Sequence, residues 1–171
     1  MGRPHHAEPT SPAGTAVAQQ AAVLASYARR LKRRGWRGLV WLNGAPEQAR
    51  QQALALWQAL DWSAPLWIGD GQQAPVAPSL PSRKARTRLG AEHQLVILDA
   101  SGHQGLDPDA LGALAGTVSA GGLLVLVTPA TWGSQPDPDY ARLADHPWPW
   151  EALSAHYLAR LACQLGESSA V

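Results

Sequence analysis

The sequence has a single cysteine, Cys163, and no pair of cysteines spaced to bind zinc. A lone cysteine cannot form an internal disulfide, and a zinc site built on thiolates needs at least two of them. The six histidines show no H-x-x-x-H spacing, and no serine stands in a G-x-S-x-G turn. We therefore predict no metal site and expect a reducing, cytoplasmic location for this chain.

Long apolar runs are also missing. The run Leu123–Val127 is far shorter than the ~20 residues that a membrane helix needs, so we predict no membrane span. Residues 1–14 hold three prolines and two histidines but no apolar segment, which indicates a disordered tail rather than a signal peptide. With a second short tail at 167–171, residues 15–166 are predicted to form a single α/β domain.

Phosphate-binding motifs are absent as well. After the first apolar run the sequence reads Asn43-Gly44-Ala45-Pro46-Glu47, which matches neither G-x-x-x-x-G-K-[ST] nor G-x-G-x-x-G. Pro46 removes an amide donor, and Glu47 adds negative charge where a phosphate would sit. We predict no cofactor site here, and we expect Asp99 to be a strand-end carboxylate that accepts hydrogen bonds from loop amides.

The elements that are present alternate between strand and helix patterns. Apolar runs at 39–42, 66–68, 95–98 and 123–128 predict four strands, and 72–81 reads as a proline-rich loop. Helices are predicted at 15–34, after Pro46, from a Ser82 cap, after the Asp107-Pro108 pair, and at the end of the chain. This order predicts a three-layer α/β sandwich with a mainly parallel four-stranded sheet, RecA/Rossmann-like but without a phosphate loop.

Charge is divided unevenly along the chain. Residues 1–88 carry twelve of the fourteen Lys and Arg and four of the thirteen acids, whereas residues 89–171 carry two and nine. Two basic clusters contain most of the cations: Arg29, Arg30, Lys32, Arg33, Arg34 and Arg37, followed by Arg83, Lys84, Arg86 and Arg88. They are either a solvated face or, if they share one face, a candidate RNA-binding surface.

The eight tryptophans replace phenylalanine, which the chain lacks. Five of them surround the first strand and helix and are predicted to fill the core rather than stack on bases: Trp36, Trp41, Trp57, Trp62 and Trp67. The remaining three, Trp132, Trp148 and Trp150, lie in a late acidic segment rich in proline. We predict that these three form a docking surface for a neighbouring domain.

The segment 89–129 reads LGAEHQLVILDASGHQGLDPDALGALAGTVSAGGLLVLVTP. Its LG-x-E start, its strand ending in DA, the run DPDALGALAGT and the glycine pair before a leucine-rich strand resemble the N-terminal domain of bacterial tRNA(Met) cytidine acetyltransferases. The resemblance implies a non-catalytic domain that precedes an ATPase module and an acetyltransferase module. In the complete family enzyme these modules use ATP or GTP and acetyl-CoA to make N4-acetylcytidine at the wobble base of elongator methionine tRNA.

No catalytic residue carries over to this chain, because the motifs of both modules are absent from it. Two hypotheses follow. Either the chain contributes tRNA contact and docking to the ATPase and acetyltransferase modules, in cis or in trans, or it is a stand-alone adaptor that kept the fold and binds a protein partner. A reading frame for those two modules directly after this one would favour the first hypothesis.

Overall fold

A computed structural model describes residues 12–70 and 75–168 of the chain. Its centre is a sheet of five parallel strands in the order β1-β5-β4-β2-β3. The strands are β1 (Gly38–Gly44), β2 (Leu66–Ile68), β3 (Ser79–Leu80), β4 (His93–Asp99) and β5 (Val118–Pro129). The predicted α/β class is confirmed, with one strand more than the four predicted. That strand, β3, lies in the segment predicted as a loop.

Helices cover both faces of the sheet. The helices are α1 (Pro12–Arg34), α2 (Pro46–Gln58), α3 (Pro108–Ala115) and α4 (His156–Glu167). Buried residues of α1 and α2 share one core with alternate residues of the strands, whereas α3, α4 and the 3-10 helix Ser82–Arg88 contribute to the core on the opposite face. The predicted three-layer arrangement is therefore confirmed.

The helix ends follow the local sequence signals in most places. Gly35 ends α1 with a φ of +67°, and Pro46 occupies the first turn of α2. Asp107 caps α3, since its Oδ1 accepts hydrogen bonds from the amides of Asp109 at 2.9 Å and Ala110 at 3.3 Å. The predicted Ser82 cap is wrong, because Pro81 holds the cap position and Ser82 is the buried first residue of the 3-10 helix.

The predicted tails lie mostly outside the described residues. Residues 1–11 and 169–171 are not described, and the predicted N-terminal tail overlaps the start of α1 at Pro12. None of the helices in the described ranges combines the length and the hydrophobicity that a membrane span requires.

The start of β5 is held close against the end of α1. β5 begins at Val118, five residues before the predicted start, and its pairing with β4 shifts register between His93 and Leu95. Gly121, with a φ of +85°, donates its amide to the Trp36 carbonyl at 2.7 Å. A side chain at Gly121 would come within 2.6 Å of the Lys32 Cα, so glycine permits this approach.

The connections between strands lie on both faces of the sheet. One face carries α2, which connects β1 to β2, and Val76, which lies between β2 and β3. The opposite face carries the connections from β3 to β4 and from β4 to β5. The connections leaving β2 and β4 therefore diverge at the carboxyl edge of the sheet. In open α/β sheets such a divergence is where ligands bind.

Candidate nucleic-acid interface

Side chains of the protein itself pair with one another at the carboxyl ends of β2 and β4. Arg50 of α2 donates from Nε to Asp99 Oδ2 at 2.7 Å, and both side chains are largely buried, with 16% and 4% exposed. Ser101 donates to Asp99 Oδ1 from its amide at 3.0 Å and from its hydroxyl at 2.6 Å. The predicted loop-amide partner of Asp99 is confirmed, and Arg50 is a second partner that the sequence pattern did not reveal.

Neighbouring groups at the same edge are also paired. Asp70 Oδ2, after β2, accepts the His103 amide at 3.2 Å, and a side chain at Gly102 would collide with that carboxylate. At the end of β5, the buried Thr128 accepts the Trp41 indole N–H at 2.9 Å. These contacts make the edge a structural network in which polar groups satisfy one another.

The late segment is anchored by a buried carboxylate. Asp137 Oδ1 accepts the amides of Leu106 and Asp139, both at 2.9 Å, and so ties the 3-10 helix Pro138–Arg142 to the loop before α3. Burial raises the pKa of Asp137 above its usual value of 3.8, and the two amide hydrogen bonds oppose that effect. The folded protein therefore holds this proton more tightly than the unfolded chain does.

This raised pKa predicts a pH-dependent effect of Asp137→Asn. As pH rises above 3.8, the carboxylate ionises first in the unfolded chain, so the wild type loses stability until pH exceeds the raised folded value. Asparagine keeps an acceptor oxygen and does not ionise, so its stability relative to the wild type should increase between pH 4 and pH 7. Urea unfolding at both pH values measures the difference, with the exposed carboxylate of Asp145→Asn as control. A relative stability of Asp137→Asn that does not change with pH would contradict the assignment.

The first basic cluster forms one exposed surface at the end of α1. Its six cations, Arg29, Arg30, Lys32, Arg33, Arg34 and Arg37, are all exposed. In residues 12–70 and 75–168, ion pairs involve Arg50, Arg86 and Arg142, and none of the six takes part. Two of them contact aromatic rings instead: Arg34 lies 5.0 Å from the Trp36 ring centroid and Arg30 lies 5.8 Å from that of Tyr27.

The second basic cluster lies on the other layer. Ala85 of its 3-10 helix is buried in the core shared with α3 and α4, opposite the face that carries α1. Arg86 forms an ion pair with Asp109, with 2.6 Å between its guanidinium nitrogen and Asp109 Oδ2. Arg88 is half-buried, whereas Arg83 and Lys84 are exposed. The two clusters therefore do not share one face. Each cluster leads directly into a parallel strand, so both lie toward the amino edge of the sheet.

Four of the five tryptophans predicted to lie in the core are buried or half-buried. Trp62 and Trp67 are buried and Trp41 and Trp57 are half-buried, as expected of core residues. Trp36 is 56% exposed, so its assignment to the core is wrong.

The three late tryptophans do not form one exposed surface. Trp132 is only 6% exposed and packs against Trp41 with ring centroids 5.7 Å apart, which removes it from the predicted docking surface. Trp150 is half-buried against the same core. Trp148 is 66% exposed, so the surface available for docking at this segment centres on that residue.

Comparison with known proteins identifies the family. A family model described as "tRNA(Met) cytidine acetyltransferase TmcA, N-terminal" matches residues 16–171. The chain belongs to this family. The resemblance carried by the DPDALGALAGT run is thereby confirmed, and the segment of the family that matches is its N-terminal one.

Three relatives show how far the similarity extends. The tRNA(Met) cytidine acetyltransferase TmcA of Citrobacter koseri is 37% identical over 142 residues, covering 81% of this chain and 20% of the relative. The TmcA of Nitrosococcus halophilus is 34% identical over 152 residues, covering 87% of this chain and 20% of the relative. The TmcA of Haloferax volcanii is 36% identical over 91 residues, covering 52% of this chain and 12% of the relative. The chain thus spans about a fifth of the length of the first two relatives.

Proposed function

We propose that this chain is the non-catalytic N-terminal domain of a tRNA(Met) cytidine acetyltransferase, and that it contributes tRNA contact and docking to the ATPase and acetyltransferase modules. The complete enzyme would make N4-acetylcytidine at the wobble base of elongator methionine tRNA in the cytoplasm, with ATP or GTP and acetyl-CoA bound by the other modules. Family membership and the match to about a fifth of the relatives' length support this proposal.

The carboxyl edge of the sheet supports a non-catalytic role. In a RecA-like domain a nucleotide would lie beside the first strand and the start of the following helix. Here Pro46 and Glu47 occupy that helix start, and Arg50 of the same helix forms an ion pair with Asp99 at the end of β4. We propose that this is a RecA-like fold in which protein side chains take the place of the nucleotide.

The observation that carries the tRNA contact is the exposed basic end of α1. Six cations within nine residues lack carboxylate partners in the described part of the chain. Each cation that neutralises a phosphate releases a counterion, which makes RNA binding strong at low salt and steeply salt-dependent. The cations of the second cluster offer fewer free charges, because Arg86 is paired and Arg88 is half-buried.

Docking to the neighbouring modules is supported by the exposed side chains of the late segment. Trp148 is 66% exposed and Leu143 is 61% exposed, and the segment around them is acidic. Large apolar side chains at such positions favour burial against a partner. The same feature would serve the alternative function, a stand-alone adaptor that binds a protein partner.

Salt titration of tRNA binding tests the proposed contact. Arg29→Gln with Arg33→Gln should reduce the slope of log affinity against log salt by about 1.5, because each lost phosphate contact contributes about 0.7 to 0.9. The melting temperature should change little, since exposed charges contribute little to folding. Fluorescence anisotropy with labelled elongator methionine tRNA measures the slope.

Two further double variants make this experiment selective. Arg142→Gln with Arg160→Gln removes the same charge from the acidic half and should leave the slope unchanged. Arg83→Gln with Lys84→Gln reports whether the second cluster also contacts the RNA. Equal slopes for the wild type and the Arg29/Arg33 variant would remove the RNA role from the end of α1 and favour the adaptor function.

A further inference from the structure

Trp36 is an exposed aromatic residue on a fixed backbone. Its amide donates to the Leu31 carbonyl at 3.1 Å, and its own carbonyl accepts the Gly121 amide at 2.7 Å. The turn is therefore held by α1 on one side and by β5 on the other, although the side chain is 56% exposed. Because the backbone is already fixed, a ligand that binds this flat apolar ring would have to order only the side-chain torsions of Trp36.

The surroundings of Trp36 are cationic. The Arg34 guanidinium lies over the indole, 5.0 Å from the ring centroid, and the other five cations of the basic end of α1 are within seven positions of it in the sequence. No aspartate or glutamate occurs between Glu8 and Glu47, so the whole segment through α1 and β1 lacks negative charge. This combination of an aromatic platform with surrounding cations is how proteins bind single-stranded nucleic acid.

We propose that Trp36 stacks on an unpaired base of the bound RNA while Arg34 and its neighbours contact the flanking phosphates. The base must be unpaired because the bases of a duplex are already stacked on one another and present only their edges. An RNA partner fits better than a protein because the surface has six cations and one exposed indole. This inference rests on the proposed tRNA contact and assigns the recognition of an unpaired base to one residue.

Binding of two RNA probes to the full 171-residue chain tests the inference. The first probe is a ten-nucleotide single strand with one 2-aminopurine, and the second is the blunt duplex of the same strand. Trp36→Ala should weaken single-strand binding by roughly 5- to 100-fold and abolish the quenching of 2-aminopurine that stacking produces, with duplex binding unchanged. Trp36→Phe should restore most of the affinity, and Tyr157→Ala, which removes an aromatic ring of comparable exposure (53%) from the acidic half, should bind as the wild type.

The outcomes separate this inference from the proposed function. If the wild type binds neither probe in a salt-dependent manner, the proposed RNA contact itself is wrong and the stacking proposal fails with it. If the wild type binds with a steep salt dependence and Trp36→Ala binds equally well, the RNA contact stands and stacking is overturned. An equal loss for single strand and duplex would also overturn stacking, because it would show that Trp36 acts only through the placement of the cations.

Discussion

Arg50→Ala is expected to lower the free energy of unfolding by about 3 to 5 kcal/mol, because it leaves the buried Asp99 carboxylate without a counterion. Asp99 Oδ2 accepts a hydrogen bond from Arg50 Nε at 2.7 Å, and the Asp99 side chain is only 4% exposed, so the guanidinium is its main source of charge compensation. The two hydrogen bonds from Ser101 go to the other oxygen and would remain. Urea unfolding at neutral pH measures the loss.

Two variants show whether the uncompensated charge is the cause. Arg50→Ala combined with Asp99→Asn removes both charges and should recover a large part of the lost stability. Arg86→Ala breaks an ion pair whose side chains are 67% and 59% exposed, and it should cost less than about 1 kcal/mol. A loss in Arg50→Ala no greater than that in Arg86→Ala would contradict this explanation, because it would show that water compensates the Asp99 carboxylate once the guanidinium is removed.

The main architecture could be predicted because it depends on local pattern. Apolar runs located β1, β2 and β4, and the Asp107-Pro108 pair located α3, since burial and capping are properties of a few adjacent residues. β3 was missed because nothing in its two residues favours a strand. It exists because the Trp67 amide donates to Pro78 and the Gly69 amide to Leu80, contacts that require the chain to return beside β2.

The candidate site depended on contacts that no local pattern specifies. The Arg50–Asp99 pair joins α2 to the end of β4, residues 49 positions apart, and so requires knowledge of the strand order. The exposure of Trp36 and Trp132 also depends on long-range packing: the ring of Trp132 is buried against Trp41, 91 positions earlier in the chain, whereas the ring of Trp36 is 56% exposed. The division of the basic clusters between two layers likewise follows from the direction of each crossover, which composition does not determine.

Gly121→Ala is expected to destabilise the protein by about 2 to 4 kcal/mol and to weaken RNA binding. The Cβ would lie 2.6 Å from both Cα and Cβ of Lys32, and the φ of +85° is unfavourable for any L side chain. Relief of the collision requires α1 to move away from β5, which would also strain the Gly121–Trp36 hydrogen bond. The displacement would therefore reach the cations and the indole on which the proposed RNA contact depends.

Gly90→Ala separates the cost of the positive φ from the cost of the collision with Lys32. Gly90 has the same φ of +85°, but no atom lies within 4 Å of the position that a Cβ would take. Its substitution should cost only the conformational part, about 1 to 2 kcal/mol, and should leave RNA binding unchanged. Thermal and urea unfolding compare the two variants, and tRNA anisotropy reports the surface. If Gly121→Ala were no more destabilised than Gly90→Ala, the close contact between α1 and β5 would not hold the basic end of α1 in place.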